Sequence, residues 1–229
     1  VLESQLIDAG APELASALAL SRLRSDALSP GLLQQAVARS GLWGEAALAA
    51  GRAVPQFDLK VLLRQMGRLL SARGMGDADD IGDAVDEIER KQLDAVQQAA
   101  DGRQVFAVTI PFADSPAVRL KFERHARDDA KGDGGYSIDI HLTPPQVGDI
   151  WMKTTVMGKR VDVNVWSRRP EVVRLASGEE GELGASLAEA GLSLRAFRVL
   201  EGEPPGVTGV ASTTSELTTA KSLGLDLKA

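Results

Sequence analysis

From residue 106 to residue 200 apolar side chains recur at every second position through a series of short segments, and that period fits a sheet with one buried face better than anything else. In 105–112 the residues Phe106, Val108, Ile110 and Phe112 share a side. In 118–124 the shared set is Val118, Leu120 and Phe122, with Arg119, Lys121 and Glu123 pointing the other way. Tyr136, Ile138, Ile140 and Leu142 come next, with Asp139 and His141 outward, until Pro144-Pro145 stops the strand because proline brings no ladder donor. Segments 150–156 and 161–166 flank Met157-Gly158-Lys159-Arg160 and predict a hairpin with a tight turn. Pro170 opens a helix over 171–190, and a break is expected where Gly178, Gly181 and Gly184 interrupt it, each costing about 1 kcal/mol against Ala. Gly191 is its C-cap, and 192–200 closes the domain as a strand.

The first 74 residues carry the helical period instead. Pro12 and Glu13 open a run through Leu14, Leu18, Leu20 and Leu23; Ser29 caps a second that begins with Pro30; Ser40-Gly41 ends it. Asp58 caps a third, whose Leu59, Leu62, Leu63, Met66, Leu69 and Leu70 form one apolar stripe ending at Gly74-Met75-Gly76. Between residues 75 and 101 nine acids face only Arg90 and Lys91, while Val85, Ile88, Leu93 and Val96 keep a stripe. That combination predicts an acidic amphipathic helix over 80–100, packed on the sheet or acting as a connecting arm. The expected layout is α+β: a helical domain over 1–74, an acidic connector helix over 75–101, a domain over 102–205 with a small mixed or antiparallel sheet packed with one helix, and a flexible tail over 206–229.

Composition narrows the function classes. A chain of 229 residues makes one or two domains, and 44% hydrophobic content is that of a folded protein. The net charge of −6 weighs against a dedicated nucleic-acid binder. No cysteine is present, which removes disulfides and thiolate metal sites. No apolar run approaches the ~20 residues of a membrane-spanning helix. The opening Val-Leu-Glu-Ser-Gln lacks Met and a leader, the start expected of a fragment or a processed product.

The order strand, proline turn, hairpin, proline-started helix, glycine and strand resembles the C-terminal domain of flagellar hook-length control proteins. The family pattern Leu-x-Pro-Glu-x-Leu-Gly is met here by Leu142-Thr143-Pro144-Pro145-Gln146-Val147-Gly148, and Leu-x-x-x-Gly-Leu by Leu187-Ala188-Glu189-Ala190-Gly191-Leu192. Pro145 stands where the family has an acid and Val147 where it has Leu. Upstream, Ser40-Gly41-Leu42-Trp43-Gly44-Glu45 and Asp58-Leu59-Lys60 are similar to a segment that precedes the domain in members with a helical region. The resemblance implies a non-enzymatic module that switches flagellar type III export from hook and rod subunits to filament-type subunits. It does so by meeting the cytoplasmic domain of a membrane-embedded export-gate protein. It implies a cytoplasmic protein that is itself exported through the flagellar apparatus, with no nucleic acid, small-molecule substrate or membrane insertion. The alternative is an interaction or scaffold domain of the same fold with another protein partner.

Five residues are the candidate partner contacts. Pro144 and Gly148 bracket a turn that either merely reverses the chain or fixes a loop whose rim meets the partner. Trp151 and Trp166 fall near opposite ends of the hairpin, and Trp166 alternates off the face of Val161, Val163 and Val165. Its indole is either cover beneath the helix or the N-terminal region, or a partly exposed anchor for a partner. Arg168 and Arg169 follow as bidentate donors to carboxylates or as a solvated rim. No catalytic, cofactor or metal residue is expected. His141 with Asp139 is too small a ligand set for closed zinc, the many carboxylates show no glycosidase spacing, and Gly132-Asp133-Gly134-Gly135 lacks the Lys-Ser/Thr of a nucleotide loop. Arg119, Lys121, Arg124 and Arg127 make a basic strip without stacking aromatics, for which cross-strand pairing with Asp139 suffices.

Overall fold

The structure is a computed structural model that describes residues 2–75, 78–125 and 135–205. The expected loop over 126–134 with Arg127, the stop at Gly76 and the tail over 206–229 lie outside the described residues. The chain forms two compact units, one of residues 2–94 with 108–117, the other of 95–107 with 118–205.

The first unit is helical: α1 (Leu2–Asp8), α2 (Pro12–Ser21), a 3-10 turn (Ser25–Ala27), α3 (Pro30–Ala38), α4 (Gly44–Ala49), α5 (Leu59–Ala72) and most of α6 (Ala78–Ala100). The caps read from the sequence are made as capping chemistry requires. Ser29 accepts from Leu32 N at 3.3 Å, and Asp58 Oδ1 accepts from Val61 N at 3.2 Å. The α5 stripe buries Leu62, Leu63, Met66 and Leu70 against Leu2, Leu6 and Leu18, and against Ile81, Ala84 and Val85 of α6. The acidic helix is present over its expected length, but its first turns complete this helical core.

The two short segments around Gly41 and Lys60, far apart in sequence, meet here. Gly41 has φ 88°, and a Cβ there would lie 2.8 Å from Lys60 Cβ and 2.9 Å from its backbone N, so the site excludes any side chain. Leu59 N donates to Arg39 O at 2.8 Å. Lys60, with a side chain only 5% exposed, donates to Glu45 Oε1 at 2.5 Å and Gln92 Oε1 at 2.6 Å, and lies 3.4 Å from Glu89 Oε1. One buried ammonium thus ties α4, α5 and α6 together. A buried charge persists only with such partners.

The sheet has six strands in the order of the chain: β1 (Gln104–Ile110), β2 (Val118–Arg124), β3 (Gly135–Leu142), β4 (Ile150–Met157), β5 (Arg160–Ser167) and β6 (Ser193–Glu201). β2 to β5 are antiparallel neighbours, and β6 runs parallel to β5, so the sheet is mixed. A parallel neighbour needs a crossover. It is supplied by α7 (Pro170–Ser177) and α8 (Glu180–Glu189), where one helix was expected. The break comes at Gly178 alone; Gly181 and Gly184 lie inside α8, and Gly184 faces Leu194 of the sheet. Gly158 (φ 60°) fills the first central position of the β4–β5 turn, as a II′ hairpin demands.

The register sorts the sheet into two faces. Leu120, Ile140, Met152, Val165 and Val199 stand in one cross-strand row, and Phe122, Ile138, Thr154, Val163 and Phe197 in the next. Leu183 and Leu187 of α8 pack on the Val161, Val163, Val165 part of that face, and Phe106 of β1 stacks on Phe122 at 4.8 Å. The opposite face carries the rows Arg119, His141, Trp151, Trp166, Leu200 and Lys121, Asp139, Lys153, Asn164, Arg198. Among the described residues no helix is long and apolar enough to cross a membrane.

Candidate functional site at one end of the sheet

The turn between β3 and β4 and the junction between β5 and α7 meet at the same end of the sheet. Pro144 O accepts from Val147 N at 3.1 Å and from Gly148 N at 2.8 Å, which closes the turn. Gly148 has φ 79°, a left-handed conformation that side chains resist. Arg169, the N-cap residue of α7, lies against this turn and donates from Nη1 to Gln146 O at 2.6 Å. Its own amide donates to Ser167 Oγ at 3.3 Å. Pro144, Gly148 and Arg169 are therefore one structural unit, a rigid loop braced by a half-exposed guanidinium.

Arg168, the preceding residue, reaches a different set of partners. Its guanidinium lies 5.5 Å from the Trp151 ring centroid and donates to Glu203 just beyond β6. Trp151 in turn stacks on His141 at 5.2 Å with an interplanar angle of 2°. His141 is held at both nitrogens: Arg119 Nη2 is 2.7 Å from Nδ1, and Nε2 is 2.9 Å from Asp149 Oδ1, which also accepts from Thr143 Oγ1 at 3.0 Å. A guanidinium can only donate, so Nδ1 is the acceptor and Nε2–H the donor of a neutral ring. Burial in the first place, and also the Arg119 charge, holds His141 below the usual imidazole range, against the pull of Asp149. Burial works against ionisation of Asp149, but the hydrogen bonds from His141 and Thr143 outweigh it and the carboxyl falls below its ordinary range.

Trp166 takes a place that alternation alone did not reveal. It stands off the valine face, as expected, yet it is only 8% exposed, flanked by Trp151 on β4 and Leu200 on β6. The fold therefore provides no exposed indole anchor at Trp166; that side chain supports the row from within the sheet. The two tryptophans are direct cross-strand partners, not residues at opposite ends. A two-residue turn at Gly158-Lys159 sets residues equidistant from it face to face, and that signal was present in the sequence. The His141–Asp149–Thr143 network and Glu203 gave no such signal, because their meeting depends on how the turn and the end of β6 fold back. Asp139, paired in the sequence reading with the basic strip, lies between Lys121 and Lys153 in register and is 3.3 Å from Lys153 Nζ. Among the described residues no group of three or more His, Asp or Glu side chains is placed to hold a metal ion.

Comparison with known proteins gives one match. Residues 124–207 fit the family model of the flagellar hook-length control protein FliK, a span that starts at the end of β2 and takes in β3 to β6, both crossover helices and the site just described except Arg119. No curated protein and no solved structure matches the chain. Residues 124–207, less than half of the chain, are therefore similar to the flagellar hook-length control family.

Proposed function

We propose that this chain is a non-enzymatic protein-interaction module that helps to switch the substrate specificity of flagellar type III export when the hook has reached its length. Its partner is the cytoplasmic domain of a membrane-embedded export-gate protein. The contact surface is the braced turn of Pro144 and Gly148 with Arg169, continued by Arg168 on its Trp151 and Trp166 support. The observation that carries this reading is the family match over 124–207, which contains that surface entirely. The mechanism needs no covalent step. Docking shifts the gate between two cargo preferences through different affinities for two gate states.

A pre-shaped turn favours such docking because little ordering remains to be done on binding. Arg168, on Trp151 and Glu203, and Arg169, on the Gln146 carbonyl, offer planar donors to partner carboxylates. On this reading the protein acts in the cytoplasm and is itself a cargo of the export apparatus. A strain lacking the gene should grow over-long hooks and fail to export filament-type subunits, and normal hooks with normal cargo would remove the proposal.

A second reading is favoured by one feature, the crossover split into α7 and α8 at Gly178. A domain of this fold with a changed crossover would bind a different protein. Unaltered hook length in the deletion strain, with the chain recovered on another partner, is its signature.

A further inference from the structure

Beyond β6 the chain turns at Gly202, whose φ is 106° and whose amide donates to Ser167 O at 2.9 Å. The turn brings Glu203 back to Arg168, and Oε1 of Glu203 receives both Nε, at 2.8 Å, and Nη2 of that guanidinium. This is an incomplete use of the fork, since both donors converge on one oxygen. Two other pairs in the chain are made fully. Arg24 sends Nε and Nη2 to the two separate oxygens of Asp26, and Arg195 does the same to Asp162. Parallel two-oxygen pairing is the strong geometry of an arginine and a carboxylate. The Arg168 fork, stacked on Trp151 and 60% exposed, is therefore a formed carboxylate receiver occupied by a poorly fitting group of the chain itself.

We propose that Glu203 is an internal stand-in for an Asp or Glu side chain of the protein partner, which takes the Arg168 fork with both oxygens and displaces Glu203 together with the turn at Gly202. The inference rests on the docking reading of this end of the sheet and gives it a partner chemistry: an acidic segment. Displacement is cheap because the pair, with Arg168 60% and Glu203 25% exposed, is within reach of water and its one-oxygen geometry gives way to a two-oxygen one. It couples partner binding to release of the segment that leaves β6, where Pro204 and Pro205 add no backbone donor of their own.

The test uses the full chain and a hexaglutamate peptide as the acidic probe, titrated while the Arg168 Nε–H and Trp151 indole resonances are followed by NMR. Glu203→Gln, which keeps the shape of the side chain, should bind the peptide about two- to fivefold more tightly than the parent, the range expected from removing a competing exposed pair. Adding Arg168→Gln should erase that gain. Equal affinities for parent and Glu203→Gln, or a gain that survives Arg168→Gln, would overturn the proposal. A parallel titration with the export-gate cytoplasmic domain separates the two levels. Gate binding with a flat peptide series sinks this inference and leaves the function reading standing. A responsive peptide series without gate binding does the reverse.

Discussion

His141 shows how a single side chain holds the end of the sheet in place. It joins β2 through Arg119, the turn before β4 through Asp149, and β4 through its stack on Trp151. The folded ring resists protonation while the unfolded ring titrates near its ordinary value of about 6.5. As pH falls through that value the unfolded chain takes up a proton that the folded chain refuses, so stability declines. Asp149, lowered in the folded state, acts in the same direction further into acid: its contribution is lost as pH drops through and below the ordinary carboxylate range. Urea unfolding followed from pH 7.5 down to 5.5 should show a falling midpoint, and His141→Gln should flatten that slope; an unchanged slope would contradict the neutral ring. Gly148 poses a simpler case. A Cβ would meet Arg169 only at 3.6 Å, ordinary contact, so Gly148→Ala should cost about 1 kcal/mol through the left-handed backbone alone. Trp166→Ala should cost far more, about 3–5 kcal/mol in the same unfolding experiment, because the indole is buried support.

At the scale of elements, the three glycines of the crossover separate by environment. Gly178 ends α7, and a Cβ there would press Leu175 O at 3.3 Å, while Gly181 sits inside α8 with open space around it. Gly181→Ala should therefore stabilise the protein by about 0.5–1 kcal/mol, seen as a raised thermal midpoint, and Gly178→Ala should not. Lys60 offers the opposite sign. Lys60→Ala removes the cation shared by α4, α5 and α6 and should destabilise by about 3 kcal/mol, and Glu45→Ala, which takes the nearest counter-ion from a buried ammonium and leaves Glu89 at 3.4 Å, should cost about 1–3 kcal/mol. These elements also mark what sequence can carry. Period-two apolar positions, Ser29, Asp58 and the Gly158 turn are local signals, and each produced the strand, cap or hairpin it announced. The direction of β6, the placement of Gly41 against Lys60 and the ring of partners around His141 are not local. They depend on which distant backbone arrives beside each residue, and spacing along one chain does not encode that. Trp166 lies between these cases, since alternation gave its face and only the neighbouring strands gave its burial.

At the scale of the whole molecule, the chain has a helical unit with an internal ammonium lock and a sheet unit whose residues 124–207 are similar to the hook-length control family. The sheet unit packs α8 on one face and carries at one end a turn braced by Arg169, with Arg168 beside it. The most direct test is the affinity of the full chain for the cytoplasmic domain of the export gate, measured by titration calorimetry for the parent and for Arg169→Ala. The account predicts saturable binding that Arg169→Ala weakens about tenfold, more than the small drop in unfolding midpoint expected from losing one exposed hydrogen bond to Gln146 O. No binding by the parent at high micromolar concentration, or binding indifferent to Arg169, would contradict it.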